Sequence, residues 1–291
     1  MRAALCYEVS DRDGKEKAKE GLEENTAFIT GAAAKKDNMI AALFGLHASF
    51  TISDETLEEA AYRGHKLGAG FHIHAAESQA DQIQCESHHK LRVIERLRDF
   101  GILGRKSIAA HCVHVNEKEI EILKETGTAV IHNPQSNANN SVGIADITGM
   151  MAKGVLVGLG TDAMTVNMME EVRAALWLQH LKRDPSQGFM EAAYALLVNN
   201  AKIANRYFKN LGELKEGYAA DLAIIDYIPP TPMDAANFYG HLIFGISQSA
   251  VDTTIAAGRV LMENKKLKLD IDEVEVSRKS AELAKKLWSR F

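Results

Sequence analysis

At 291 residues and 46% hydrophobic content, the chain is long and apolar enough to bury a large core. A net charge of −5 and a pI near 6.1 leave no basic field, so nucleic acid is excluded as the expected partner. No run approaches 18 uninterrupted apolar residues, so no membrane span is expected; three cysteines (Cys6, Cys85, Cys112) without motif spacing fit a reducing, cytoplasmic setting.

In chain order, six short apolar runs read as buried parallel strands, near 2–8, 39–46, 69–75, 106–112, 128–133 and 154–161. The first, Arg2-Ala-Ala-Leu-Cys-Tyr-Glu-Val, is already a core strand with no signal-peptide pattern, which predicts a chain that starts inside a larger fold. Two unpaired sheet edges, at 2–8 and 154–161, would then favour aggregation. Ser53-Asp-Glu-Thr opens a helix to about Lys66, another runs from Ser87 through Arg98, and Asn116-Glu-Lys-Glu starts a third. Residues 167–182 read as a strong amphipathic helix and 189–208 as the next.

Around Leu211-Gly-Glu-Leu-Lys-Glu-Gly the periodicity changes. Residues 221–226 and 253–261 read as short β elements, the second bending at Gly258, and a charged amphipathic helix closes the chain over 270–290. The predicted domains are therefore 1–209 and 210–291. On the last helix, Leu283, Leu287, Trp288 and Phe291 oppose Lys285, Lys286 and Arg290. Packing on the domain or on a partner subunit is the expected use of that face, so a homo-oligomer is an open expectation, and a membrane surface is not the reading adopted.

A polar residue stands at the end of each of the last five runs: His47, His74, His111, His132 and Asp162. The intervals of 27, 37, 21 and 30 residues leave room for a helical return each time. In a (β/α) barrel, residues at the C-terminal strand ends point into one mouth. Four histidines and an aspartate there predict a metal-assisted hydrolytic site.

The motifs His74-Ala-Ala-Glu77, His111-Cys-Val-His114, Ile131-His-Asn-Pro-Gln-Ser-Asn137 and Gly160-Thr-Asp162 resemble the amidohydrolase superfamily. The resemblance is narrower to its chlorohydrolase/aminohydrolase branch, which includes guanine, methylthioadenosine and cytosine deaminases. Cys6-Tyr-Glu-Val-Ser-Asp-Arg-Asp-Gly14 and Thr161-Asp-Ala-Met-Thr-Val-Asn167 look like the SsnA-type aminohydrolases. The resemblance implies a TIM-type (β/α)8 barrel of which strands three to eight are present, followed by the C-terminal part of a small β-sandwich domain re-entered at 214–226. It also implies His74 and Asp162 as ligands of one divalent metal, zinc first and iron as the alternative, and a small heterocyclic amine as substrate. The family's first-strand His-x-His pair has no counterpart, because His72-Ile-His74 falls at the position of the fifth strand.

The chemistry assigns roles. Asp162 binds the metal and accepts a proton from water activated to hydroxide, while His111 hydrogen-bonds the nucleophile or the developing oxyanion. Glu77, three residues past His74, turns back to move a proton onto a ring nitrogen and then to the departing amine. His47 and the 8–14 loop touch substrate. Plainer roles stand beside these: Glu77 as a helix cap, His72 as a core histidine and His114 outside the mouth. His132-Asn133-Pro134 would shape a loop, Ser136 and Asn137 would form a turn and cap, and Cys112 would be a structural thiol. The expected function is hydrolytic deamination of a purine-like heterocycle. The alternatives are a catalytically incomplete fragment or non-catalytic scaffold, and a chlorohydrolase using the same attack. A cyclic amidase would need a lysine where the chain has Leu46-His47.

Overall fold

The computed structural model describes residues 2–35 and 38–291. It divides into two compact units: the chain up to Tyr218 with Pro229–Gln248, and Ala219–Ile228 with Ser249–Phe291.

The first unit has an α/β fold with a parallel central sheet. Strand β1 (Ala3–Leu5) pairs with β2 (Ile40–Ala42), and a Val9–Leu46 bridge carries the same pairing onward beside β3 (Phe44–Ala48). Then β4 (Phe71–Ala75), β5 (Ile108–His111), β6 (Ala129–His132) and β7 (Val157–Leu159) follow in parallel, in chain order. These are the six apolar runs, and parallel neighbours put all their C-terminal ends on one rim. Phe44, Leu46, Phe71, Ile73, Ala109, Val130 and Val157 are buried because strands covered on both faces tolerate no polar alternation.

Among the described residues, eleven α-helices belong to this unit: α1 (Lys15–Ala34), α2 (Asp54–Lys66), α3 (Gln79–His89), α4 (Val93–Asp99), α5 (Glu117–Thr126) and α6 (Pro134–Asn139), then α7 (Ile147–Ala152), α8 (Met168–Lys182), α9 (Phe189–Tyr194), α10 (Asn200–Ala204) and α11 (Phe238–Phe244). Ser53 caps α2 by accepting from the Thr56 amide, and Asn116 caps α5 by accepting from the Glu119 amide, as their sequences predict. The single helix expected over 87–98 is two helices. Lys90 turns left-handed at φ 58°, and the chain restarts with the Glu95 carboxylate accepting from the Arg92 amide. From α4, the fully buried Arg96 donates to Ser49 and Ile52 carbonyls and pairs with Asp54 at 2.7 Å, which locks α4 beneath the β3 end. Helix α8 forms as expected but mixes its faces: Glu171 and Gln179 are buried while Trp177 and Leu181 are exposed. The helix expected over 189–208 is α9, one π-helical turn (Ala195–Asn199) and α10.

That turn covers the outer edge of β7. Asn199 Nδ2 donates to the Val157 carbonyl at 2.8 Å, and the Asn200 amide bonds both the N–H and the C=O of Leu159 at 3.0 Å. Gly158 permits this approach, since a Cβ there would lie 2.3 Å from Asn200 Oδ1. The edge expected to be unpaired at 154–161 is therefore hydrogen-bonded by side-chain amides. On the other side of the sheet, the buried Asn25 of α1 bonds the backbone N–H and C=O of both Tyr7 and Gly45, filling a gap in the ladder between β1 and β3.

The second unit holds an antiparallel sheet of β8 (Leu222–Ile225), β9 (Val251–Ala256), β10 (Arg259–Glu263) and β11 (Lys266–Leu267), in the order β11-β10-β9-β8. Ala257 and Gly258, at φ 49° and 77°, make the tight turn between β9 and β10, so the bend expected at Gly258 is a hairpin. Helix α12 (Glu273–Trp288) follows, capped by Asp272. Residues 210–218 and 229–248, grouped by sequence with the C-terminal domain, pack with the first unit; α11 buries Leu242 and Ile243 there. Among the described residues this unit has one four-stranded sheet.

Candidate active site

The strand register sets the candidate residues side by side. Ala48 pairs with His74, Ala75 with His111, and His132 with Leu159. The His47 and His74 rings are 5.4 Å apart, and those of His74 and His111 5.5 Å apart. From the next turn, Asp162 Oδ2 approaches His111 Nε2 to 3.8 Å, and Glu77 Oε2 approaches the same nitrogen to 3.9 Å. One ligand atom from each of His74, His111 and Asp162 lies within 4.8 Å of the others.

The backbone of the rim is strained where these side chains leave it. Ala76, His111, Cys112, Asp162 and Ala163 all have positive φ, between 47° and 70°. For residues with a Cβ this conformation costs on the order of 1–2 kcal/mol each. The Cys112 amide bonds the Ala75 carbonyl and the His114 amide that of Ala76, tying two strand ends together.

Each mouth histidine has its Nδ1 against an oxygen. His74 Nδ1 donates to the His47 carbonyl at 2.8 Å, and His111 Nδ1 to Asn137 Oδ1 at 2.8 Å. His47 Nδ1 lies 2.7 Å from Thr51 Oγ1, whose own proton goes to the Ala48 carbonyl, so it too donates. All three rings thus present an Nε2 lone pair, the form that can ligate a cation or accept a proton. The buried His111 Nε2 has no hydrogen-bond partner. Two imidazole lone pairs and a carboxylate form a donor set suited to zinc or another borderline divalent ion, so the residues fit a metal. Glu8, His47 and His74 make a second group of ligand-type atoms. Here the Glu8 carboxylate meets the protonated His74 Nδ1 at 3.6 Å, so it acts as a charge partner of that ring.

The short helix α6 orients this group. Ser136 Oγ donates to Asp162 Oδ2 at 2.5 Å, Asn137 receives His111, and Asn140 Nδ2, at the helix end, donates to Glu77 Oε1 at 3.3 Å. The buried carboxyl of Glu171 on α8, pushed up to about 7 by burial, accepts from the Gln135 amide and anchors α6 from behind. Sequence reasoning gave Ser136 and Asn137 only turn and cap roles, placed Glu8 only within the substrate-facing 8–14 loop, and passed over Asn140. The available signal was composition: Gln135-Ser-Asn-Ala-Asn-Asn140 offers amides and a hydroxyl on a helix with no apolar stripe.

The remaining candidates lie apart. His132 is fully buried against Asn137, and burial pushes its pKa down to about 3, so it does not join the mouth. His72 sits 3.8 Å from the Cys6 thiol with its pKa lowered to about 4, chiefly by burial. His114 Nε2 bonds the Val142 carbonyl. Burial raises the Cys112 thiol, which is inert for that reason. His47 is lowered, chiefly by burial, with Arg12 and His74 adding to it.

Parallel strands thus bring imidazoles and a carboxylate onto one rim of an α/β fold. The chain belongs to the amidohydrolase family, whose sequence profile matches residues 1–261. It is 36% identical over 278 residues to the 5-methylthioadenosine/S-adenosylhomocysteine deaminase of Dictyoglomus thermophilum, covering 92% of this chain and 64% of that protein. It is 32% identical over 294 residues to the 5'-deoxyadenosine deaminase of Methanosarcina barkeri, covering 100% of this chain and 68% of that one. The chain thus spans roughly two thirds of the length of these relatives. Its fold is similar to a zinc-bound adenosine deaminase from Xanthomonas campestris at a TM-score of 0.88 and 21% identity, covering 99% of this chain and 67% of that one. Among the described residues, no helix is long and apolar enough to cross a membrane.

Proposed function

We propose that the chain is a metal-dependent hydrolase that removes an amino group from a heteroaromatic carbon, with a purine-like amine as substrate. The observation that carries this reading is the convergence of His74, His111 and Asp162 within 4.8 Å, with Glu77 3.9 Å from His111. The names of the relatives, deaminases of adenosine-type compounds, supply the substrate class.

In this reading His74 and Asp162 hold one divalent cation, zinc or iron, and the His111 lone pair completes the set. Such an ion supplies Lewis acidity, which brings the pKa of a water toward neutrality. Glu77 takes a proton from the attacking water and passes it to the substrate ring nitrogen. Asp162 takes the remaining hydroxyl proton and delivers it to the amine as the C–N bond breaks, giving ammonia and a carbonyl. His47, with its lone pair outward, accepts a hydroxyl or N–H of the substrate. The six parallel strands are read as six of the eight strands of a TIM-type barrel, the β8–β11 sheet as part of a small sandwich, and the setting as cytoplasmic, in keeping with three free cysteines.

The test follows ammonia from a panel of aminopurines and pterins, with metal content measured on the same sample. About one Zn²⁺ or Fe²⁺ per chain is expected, with ammonia release lost on chelation. Equal activity in the metal-free protein overturns the reading. Metal and substrate binding without ammonia points to the second reading, a catalytically incomplete chain, which the lack of a further His-x-His beside His72-Ile-His74 favours.

A further inference from the structure

His132, Asn137 and His111 form a line of side chains in which the proposed chemistry uses only the last. All three are fully buried. The Asn137 amide lies between two imidazoles, its Oδ1 2.8 Å from His111 Nδ1 and its Nδ2 3.4 Å from His132 Nδ1. A carboxamide has one accepting and one donating end, so the two rings must carry opposite forms at Nδ1. With the oxygen toward His111, that ring is protonated at Nδ1 and bare at Nε2, and His132 offers a lone pair to the amide NH2. With the amide reversed, His111 would carry its proton on Nε2, facing Asp162 and Glu77, and could no longer donate a lone pair to a cation.

The reverse state has a ready supporter. Asn133 Nδ2 lies 3.5 Å from His111 Nδ1 and would join Asn137 in donating to it. Something must therefore hold the Asn137 amide. His132 Nε2 is buried without a partner, so the line ends there and cannot conduct protons outward.

We propose that His132 is a positioning residue that, by accepting the Asn137 NH2, fixes the tautomer in which His111 offers its Nε2 lone pair to the metal-binding group. The use made of that lone pair rests on the proposed function, whereas the tautomer does not.

The test is long-range ¹⁵N–¹H NMR of the histidines in the metal-free chain, with Zn²⁺ affinity measured by chelator competition. In the natural sequence His111 should carry its proton on Nδ1 alone. In His132→Leu the Nε2–H form should appear, and Zn²⁺ should bind about 10–100-fold more weakly. His132→Gln, whose side-chain oxygen can again accept the amide, should restore both. A folded His132→Leu protein with His111 still wholly Nδ1–H and unchanged Zn²⁺ affinity overturns the proposal. Should His132→Leu not fold, Asn137→Asp decides: its carboxylate accepts from both rings, so His111 stays Nδ1–H while His132 must move its proton from Nε2 to Nδ1. A His132 that keeps its proton on Nε2 in that variant overturns the proposal equally. If the tautomers shift as expected but no amine yields ammonia, the activity falls and this inference stands; unshifted tautomers in an active enzyme remove only the inference.

Discussion

Ser136 contributes one hydroxyl to the site, and that hydroxyl sets the direction of the Asp162 carboxylate through a 2.5 Å bond. Ser136→Ala should leave Asp162 free to rotate and weaken Zn²⁺ binding about 10–100-fold, as read by chelator competition. Glu77 differs, because no ligand geometry depends on it. Glu77→Gln should keep metal content intact and lower ammonia release about 10²–10⁴-fold. Loss of metal together with activity would show that Glu77 is structural. Of these residues, those that end apolar strands were legible in the sequence: His74 and Asp162 stand where a hydrophobic run stops, and the pattern itself points to them. Ser136, Asn137 and Asn140 were not, because α6 is a single polar turn and a half without periodicity, and its partners are more than 20 positions away for Ser136 and Asn137.

At the level of elements, strand positions were readable because burial on both faces imposes uninterrupted apolar runs. Helix boundaries were less so. The break at Lys90 depends on a left-handed residue with no glycine to announce it, and α11 joins the first unit through contacts of Leu242 and Ile243 that no local pattern encodes. The cover on β7 was equally hidden, since Asn199 and Asn200 read as ordinary helix residues. Gly158→Ala tests that cover. Its new methyl would meet Asn200 Oδ1 at 2.3 Å and push the amide off Leu159, costing about 1–3 kcal/mol in urea unfolding. An unchanged midpoint would mean that α10 shifts without loss.

For the molecule as a whole, pH acts through buried groups of opposite sign. His132 and His72 have folded pKa values of about 3 and 4, below the ordinary 6.5. Above pH 6.5 they cost nothing; as pH falls below it, the unfolded chain takes up protons that the folded chain refuses, and stability is lost. Asp81 and Glu171, raised by burial to about 6 and about 7, work the other way: stability falls as pH rises from their ordinary values through these. The two sets oppose each other between roughly pH 4 and 6.5. His132→Gln removes one of them. Relative to the natural sequence, the variant should gain about 1.4 kcal/mol on going from pH 7.5 to 5.5, measured by urea unfolding at both pH values. An equal difference at the two pH values would mean that His132 is protonated in the fold.

The left-handed residues at the rim carry a last consequence. Ala76 and Ala163, both at positive φ, occupy positions that glycine or asparagine would fill with less strain. Relaxing them would make the protein hardier on heating and at the same time loosen the posture of Glu77 and Asp162, their immediate neighbours in the chain. Heat resistance and turnover should therefore be traded against each other at these two alanines, and selection for one ought to be visible as erosion of the other.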